Sequence, residues 1–261
     1  MNNKGNSGVK IFLYILFVGL LIAAIVIGVI AILKPPETRI ELIPAIPPDE
    51  IVVDDSEKYN IKIDADVVKM SPDIDIAQER INHNNNDIIG RLEVPDLFNV
   101  LVVRGSNNDY YLANNVDKKK DVMGATFMDY RIDQNSNQIN IYGHNSREEQ
   151  LDVPFRRLEK LLDKTFFDSH PYIIFQFEGG KRVYKVTAIT EVYNDNVEHM
   201  RVKKTGSDFV NHINTIISNP IHSRSMEINE NSKIIILQTC SHHLNNAVYL
   251  ITGVAINYAE E

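Results

Sequence analysis

The order of hydrophobic and polar positions divides the chain into three parts. Residues 11–33 are apolar throughout and contain no charged side chain, whereas the stretch that follows is rich in proline and acidic residues. Farther along, short apolar runs alternate with turn-forming residues. As a helix, the apolar segment would extend about 34 Å, enough to cross a bilayer core of about 30 Å. We therefore predict a transmembrane signal-anchor at 11–33, a Pro-rich spacer and lead-in at 34–75, and a folded domain at 76–261.

The charges beside the apolar segment indicate its orientation. Lys4 and Lys10 precede it without an acidic neighbour, whereas the basic residues that follow it are mixed with glutamates. Because basic residues collect on the cytoplasmic side, we predict a cytoplasmic N-terminus (1–10) and an extracytoplasmic domain, anchored in the cell membrane by a single pass. A cleaved signal peptide is the alternative, but its apolar region would span about 7–15 residues and end at small residues. This longer segment continues instead into Lys34 and two prolines.

Beyond residue 76 the pattern is typical of a mostly β domain with a few helices. Apolar runs bounded by turn residues predict strands, and apolar side chains at helical spacing predict helices. The predicted strands are 87–94, 100–103, 125–128, 138–142, 172–177, 183–192, 234–240 and 249–256, and the predicted helices are 76–84, 154–162 and 207–218. Ser207 would cap the last helix, or Thr205 would do so together with Asp208. Such strands indicate a barrel or a sandwich.

Charge composition narrows the choice of partners. The net charge is −8, and the basic residues do not cluster beyond the short run Lys118–Lys120. Proteins that bind nucleic acid usually carry an extended basic patch, so we predict no nucleic-acid partner.

Two short segments carry side chains with catalytic potential. Cys240, the only cysteine of the chain, closes the predicted strand 234–240, and His144 follows the predicted strand 138–142 at Gly143. Strand alternation places Cys240 on the same face as Ile236. A thiolate is a strong nucleophile, and a nearby imidazole both lowers the pKa of a thiol and exchanges protons with it.

Other roles for this lone cysteine remain open at this stage. It could be an inert buried residue or form a disulfide between two chains, although a redox role lacks a resolving cysteine. His242 and His243 follow it closely, which raises the possibility of a metal site. Zinc usually requires three or four protein ligands, and no second group of ligands has suitable spacing, so we predict neither a metal nor another cofactor.

Five segments in order give the chain a family resemblance. They are NDIIGRLEVP at 86–95, VVRGSNNDYYL at 102–112, GATFMDYR at 124–131, IYGHN at 141–145 and LQTC at 237–240. Together, behind a signal-anchor, they resemble the class B sortases, the membrane-anchored cysteine transpeptidases of Gram-positive bacteria. The stretch 194–232, with its predicted helix, is similar to the class B insertion before the cysteine strand.

The resemblance implies a fold, a reaction and a set of site residues. The fold would be an eight-stranded sortase-type β-barrel. Cys240 would attack the Thr–Gly bond of a C-terminal, NPxT-like sorting signal on a surface protein or pilin, and His144 would be the general acid and base. An amine of a peptidoglycan precursor or of a pilin lysine would then take the acyl group, in surface-protein anchoring or pilus assembly. Asn108, Leu112 and Thr239 would line the substrate groove.

The chain departs from the family at one expected catalytic position. The resemblance places an arginine on the strand after the cysteine, at Val248, but residues 241–261 contain neither Arg nor Lys. Loss of one oxyanion donor typically costs about 10²–10³ in kcat. Candidates to replace it are Asn245, Asn246, His242, His243 and Arg224. The alternative functions are a degenerate sortase that acts as a cell-surface binding or assembly module, and a cysteine hydrolase in which water replaces the amine.

Overall fold

The computed structural model describes residues 71–148, 151, 153–195 and 201–256. The predicted cytoplasmic N-terminus (1–10), the signal-anchor (11–33) and most of the spacer lie outside the described residues. Within these ranges, no helix combines the length and the apolar composition that a membrane span requires.

Nine strands and three α-helices form the described part of the chain. The helices are α1 (Ile76–Asn82), α2 (Lys164–Ser169) and α3 (Gly206–Ile216), and Tyr110–Leu112 and Pro154–Leu162 are 3₁₀ helices. The strands are β1 (Ile88–Val94), β2 (Phe98–Val103), β3 (Phe127–Met128), β4 (Gln138–Tyr142), β5 (Tyr172–Phe177), β6 (Gly180–Tyr193), β7 (Pro220–Ser223), β8 (Ile234–Cys240) and β9 (Ala247–Ile256).

Eight of the strands close into a barrel, as the family resemblance implied. Their order is β5-β1-β2-β3-β4-β8-β9-β6, and β6 pairs back onto β5. The ninth strand, β7, pairs only with β6, on the outside of this ring. Closure leaves the eight barrel strands without an open edge. Most neighbours are antiparallel, but β2–β3 and β4–β8 run parallel, and the β4–β8 pair positions the candidate site.

The apolar side chains of β8 are buried on both faces of the sheet. Ile235 and Leu237 belong to the core inside the barrel, whereas Ile234 and Ile236 belong to a second cluster on the outside. In that outer cluster α3 contributes Phe209, Ile213 and Ile216. Burial on both faces explains why β8 is a continuous apolar run rather than an alternating one.

The last residues of the predicted lead-in hydrogen-bond to the barrel wall. Gln176 of β5 exchanges two hydrogen bonds with the backbone of Ile74, at 3.1 and 2.9 Å. Arg91 of β1 donates to the Pro72 carbonyl at 2.7 Å, and Glu93 accepts from the Ser71 amide at 3.0 Å. These contacts satisfy polar side chains that the wall buries.

Several elements differ from the sequence-based expectation. The α-helix predicted with Ser207 as its cap has Thr205 at the N-cap position, two residues earlier, which matches the alternative start, although no side-chain capping bond forms. The helix α2 was not predicted. It begins where the Asp163 carboxylate accepts from the Phe166 amide at 2.8 Å. The strand β7 was also missed, because its first residue is Pro220 and it lies at an edge, where proline is tolerated.

Candidate active site

Parallel pairing of β4 and β8 brings the predicted nucleophile and base to the same edge of the sheet. Tyr142 is paired with Gln238, and Gly143 donates its amide to the Gln238 carbonyl at 3.2 Å. Two residues beyond that pair, His144 and Cys240 occupy corresponding positions. Because parallel strands end at the same edge of a sheet, the two residues lie at the same end of the barrel.

The two strand ends are tied to each other by side chains next to the candidate pair. The Thr239 hydroxyl donates to the Gly143 carbonyl at 2.8 Å, and the Asn145 amide donates to the Cys240 carbonyl at 2.9 Å. The same Asn145 amide also donates to the Glu159 carboxylate at 2.7 Å. These bonds fix the backbone from which His144 and Cys240 extend.

Gly143 is required by close packing rather than by its backbone angles. A Cβ atom at this position would lie 2.4 Å from Cγ of the buried Phe155 ring. The glycine therefore lets the strand end approach the 3₁₀ helix Pro154–Leu162 and fixes the direction in which His144 leaves β4.

A backbone carbonyl determines the protonation of His144. Nε2 of the imidazole lies 2.8 Å from the Leu112 carbonyl oxygen. Since a carbonyl oxygen can only accept, Nε2 carries the proton and donates it to this bond. Nδ1 has no hydrogen-bond partner among the described residues, so in the neutral ring it is free to accept a proton. An imidazole oriented by a third group in this way is suited to act as a general base.

The thiol of Cys240 is accessible but not yet activated. The residue is exposed, yet the protein atoms around the sulfur desolvate it and raise the pKa of the thiol above its ordinary value. Desolvation by burial is the cause of this shift. The thiol is therefore protonated at neutral pH, and a base is needed to take its proton.

The turn after Cys240 is held by β6. The Ser241 hydroxyl donates to the Glu191 carboxylate and accepts from the His243 amide at 3.1 Å. Nδ1 of His243 contacts the same carboxylate at 3.1 Å. Because the carboxylate lies between the hydroxyl and the imidazole, this group does not activate the serine. It anchors the turn and directs His243 towards β6.

Val248 lies directly opposite the nucleophile. The register of β8 and β9 pairs Cys240 with Val248, and directly paired residues share a face of the sheet. Val248 is buried in the outer apolar cluster with α3. Arg224, one of the predicted substitutes for the arginine, donates to the carbonyls of Val186 and Phe167 and stacks on the Phe167 ring. These contacts hold the Arg224 side chain at the end of α2.

Another guanidinium reaches the turn after the cysteine. Arg147 donates from Nε to Nδ1 of His242 and from Nη2 to the His242 carbonyl, both at 3.3 Å. Neither Arg147 nor Asn145 was predicted as a site residue. Both lie within three residues of His144. Their position in the loop that follows a predicted catalytic histidine was the one feature of the sequence that could have identified them.

The three predicted groove residues have different surroundings. Leu112 is exposed, and its carbonyl orients His144. Thr239 is buried, with its hydroxyl bound to Gly143. The side chain of Asn108 donates to the Asp129 carboxylate at 3.1 Å and accepts from the Tyr130 amide at 3.0 Å. The structure therefore brings Leu112 and Thr239 to the candidate pair, whereas Asn108 holds its loop to Asp129. The part of these residues in substrate binding stays a prediction.

A groove opens beside His144. Its volume is about 370 Å³, and its lining includes Leu101, Val116, Met123, His144, Pro154 and Phe155. Asp121 also lines it and is its only carboxylate. In the described ranges, no group of three or more His, Cys, Asp or Glu side chains is placed to hold a metal ion.

Comparison with known families gives one match of known function. Residues 92–254 match the sortase domain, and this range covers more than half of the chain. It contains both His144 and Cys240. A search of curated proteins gives no match.

Solved structures of sortase B proteins share this fold. The Clostridium perfringens sortase B structure has a TM-score of 0.64 at 24% identity and covers 69% of this chain and 100% of its own. Staphylococcus aureus sortase B has a TM-score of 0.61 at 20% identity, covering 70% of this chain and 87% of its own. Listeria monocytogenes sortase B has a TM-score of 0.59 at 23% identity, covering 68% of this chain and 99% of its own. A further structure is a S. aureus sortase B–substrate complex, with a TM-score of 0.61.

Proposed function

Since the chain belongs to the sortase family and is a cysteine transpeptidase, we propose that it cleaves an NPxT-like sorting signal between Thr and Gly and transfers the acyl group to an amine. The amine belongs to a peptidoglycan precursor or to a pilin lysine. The observation that carries this proposal is the orientation of His144, whose Nε2 is bound to the Leu112 carbonyl while Nδ1 is left to accept a proton.

The first half of the reaction forms a thioester on Cys240. The thiol proton passes to Nδ1 of His144, and the thiolate attacks the carbonyl carbon of the substrate threonine. The carbonyl oxygen becomes an oxyanion in the tetrahedral intermediate. When the intermediate collapses, the Thr–Gly bond breaks, and His144 returns the proton to the departing glycine nitrogen.

The second half releases the acyl group. The incoming amine attacks the thioester carbonyl and gives a proton to His144. The sulfur leaves as a thiolate and is reprotonated by the same imidazole. Because both halves need a base and then an acid at one place, the oriented His144 serves in each step.

We also propose that the chain acts at the outer face of the cell membrane. The apolar segment 11–33 and its lysine-flanked start support a single-pass anchor with the domain outside the cytoplasm. In this position the domain meets surface proteins or pilins and the cell-wall amines that would accept them.

Mass spectrometry of the purified full-length protein tests the reaction. We expect incubation with a library of NPxT-like peptides to give a thioacyl adduct on Cys240, which an added amine then removes. Cys240→Ala is the control and must show no adduct. If a folded protein gives no adduct with any peptide, the proposal is wrong. If peptide is cleaved at a rate independent of the amine, the enzyme is a hydrolase instead.

A binding or assembly module without turnover is the second candidate. The apolar Val248 opposite the thiol favours it, since this position offers no donor to an oxyanion. On this reading, Cys240→Ala would leave surface-protein display on the cell unchanged, whereas the transpeptidase proposal requires that display is lost.

A further inference from the structure

Acyl transfer from a thiol needs a donor for the negative charge that develops on the substrate oxygen. Hydrogen-bond donors aimed at this oxygen usually supply the largest single share of such catalysis. Directly across from Cys240 the chain offers only the buried Val248, and residues 241–261 contain no Arg or Lys. A cationic Arg or Lys donor must therefore come from another element.

The loop after β4 brings a guanidinium to the nucleophile's own strand end. Arg147 contacts His242 at Nδ1 and at the carbonyl oxygen, both at 3.3 Å. His242 is two residues beyond Cys240, and two residues of chain span at most about 7 Å. The loop is also held at Cys240 itself, because Asn145 donates to the Cys240 carbonyl. The guanidinium therefore lies at the turn that directly follows the nucleophile.

The contacts of Arg147 are weak enough to be exchanged for a substrate. Both partner atoms are neutral, both distances are at the long end for hydrogen bonds, and the side chain is exposed. Within the described ranges no carboxylate contacts it. Arg131, by contrast, is bound to the buried Asp129 carboxylate at 2.6 Å, and Arg224 is held by two carbonyls and an aromatic ring. A carboxylate partner such as Asp129 would compete with a substrate oxygen for the guanidinium.

We propose that Arg147 is the catalytic arginine of this enzyme and that its guanidinium binds the substrate carbonyl oxygen as this oxygen becomes an oxyanion. In the free enzyme His242 holds the guanidinium beside the turn. On substrate binding, the carbonyl oxygen replaces the His242 atoms as acceptor. The inference rests on the proposed thioester chemistry, but it concerns a step that is common to every substrate that acylates Cys240.

Two reactions of Cys240 separate a role at the oxyanion from a role at the thiol. Acylation by p-nitrophenyl acetate passes through a tetrahedral oxyanion, whereas alkylation by iodoacetamide does not. For full-length Arg147→Gln we expect acylation to be about 10²-fold slower, the usual effect of removing one oxyanion donor, while the alkylation rate stays within about two-fold. Arg147→Lys should recover only part of the loss, because an ammonium lacks the planar fork.

Arg156→Gln is the matched control. Its guanidinium donates to the Glu148 carbonyl in the same loop at 3.1 Å, so the variant removes an equal charge without touching His242. Its two rates should equal those of the unsubstituted enzyme.

Three results would overturn the inference: unchanged acylation in Arg147→Gln, an equal fall in acylation and alkylation, or an equal effect of Arg156→Gln. The first result would show that Arg147 does not bind the oxyanion. The second would show that Arg147 acts on the reactivity of the thiol. The third would show that any positive charge in this loop has the same effect. If no NPxT-like peptide forms an adduct but ester acylation depends on Arg147, the proposed substrate fails and the inference stands.

Discussion

Replacing Thr239 by valine tests whether this residue lines the substrate groove or ties the two catalytic strands together. Valine has nearly the same shape, so the change removes the hydroxyl and little else. The hydroxyl donates to the Gly143 carbonyl at 2.8 Å, and the side chain is buried at 2% exposure. A role in holding the strands predicts a loss of stability, whereas a role in the groove predicts a loss of substrate affinity.

The expected loss of stability follows from the Gly143 carbonyl that loses its donor. Removing the donor leaves the Gly143 oxygen without that partner, which costs about 1–3 kcal/mol. For a domain of about 150–250 residues, each kcal/mol lowers Tm by roughly 2–4 °C, so we expect Thr239→Val to melt roughly 2–12 °C lower. Thermal unfolding followed by circular dichroism measures the shift. Thr239→Ser keeps the hydroxyl and should recover most of it.

The same bond should influence turnover. Gly143 directly precedes His144, so a looser contact between β4 and β8 lets the imidazole drift from the thiol. Displacements of about 1 Å in a reacting pair cost up to 10²-fold in rate. We expect kcat to fall by at least about ten-fold with KM nearly unchanged. A variant with normal Tm and normal kcat but a raised KM would refute this reasoning and would indicate that Thr239 lines the substrate groove.

Three further predictions concern the same region. Gly143→Ala should destabilise the protein by about 1–3 kcal/mol in urea unfolding, because its Cβ would meet Phe155 at 2.4 Å, and the same change should cost less in a Phe155→Ala background. Asn145→Ala should lower both Tm and kcat, because it removes the donor shared by the Cys240 carbonyl and Glu159; normal values of both would contradict the role of this amide. Burial raises the pKa of Cys240, so iodoacetamide should alkylate the free enzyme at pH 7 more slowly than it alkylates glutathione, and the rate should rise about ten-fold per pH unit until the pH exceeds that pKa. A rate plateau below pH 8 would contradict the desolvated, unpaired thiol.

The strands of this domain could be predicted because their signal is local. The run 234–240 was predicted as a strand with Ile236 and Cys240 on one face, and β8 confirms both its bounds and its alternation. What covers each face was not predictable, because α3 reaches the outer face only through the tertiary fold. Burial on both sides also removes the polar alternation that would have identified an outer face.

The segment 154–162 shows how a correct boundary can hide the wrong helix type. Phe155, Leu158 and Leu161 recur at a constant spacing of three, and the structure has a 3₁₀ helix with these three side chains buried. A 3₁₀ helix has three residues per turn, so this spacing points each of them in the same direction. The spacing was readable in the sequence, but it is also compatible with one face of a short α-helix.

The candidate pair was accessible from the sequence, whereas its supporting atoms were not. Cys240 and His144 stand in short motifs that the family resemblance made visible. The atoms that orient them are a backbone carbonyl, at Leu112, and a side-chain amide, at Asn145, and both act through contacts between distant segments. No residue pattern specifies which carbonyl an imidazole will face, so the free nitrogen of His144 could be assigned only from the fold.

Parallel pairing of β4 and β8 explains why one loop can supply most of this site. Parallel strands end at the same edge, so the loop after β4 lies beside the last residue of β8. From that loop His144 offers the base, Asn145 holds the nucleophile's carbonyl, and Arg147 reaches the turn beyond it. β8 then needs to contribute only the thiol, and β9 can place the apolar Val248 opposite it. The arrangement depends on register, because a slip of one residue between the strands would turn His144 and Cys240 to opposite faces. The Thr239–Gly143 bond lies where such a slip would begin, and for this reason we expect its loss to affect catalysis as well as stability.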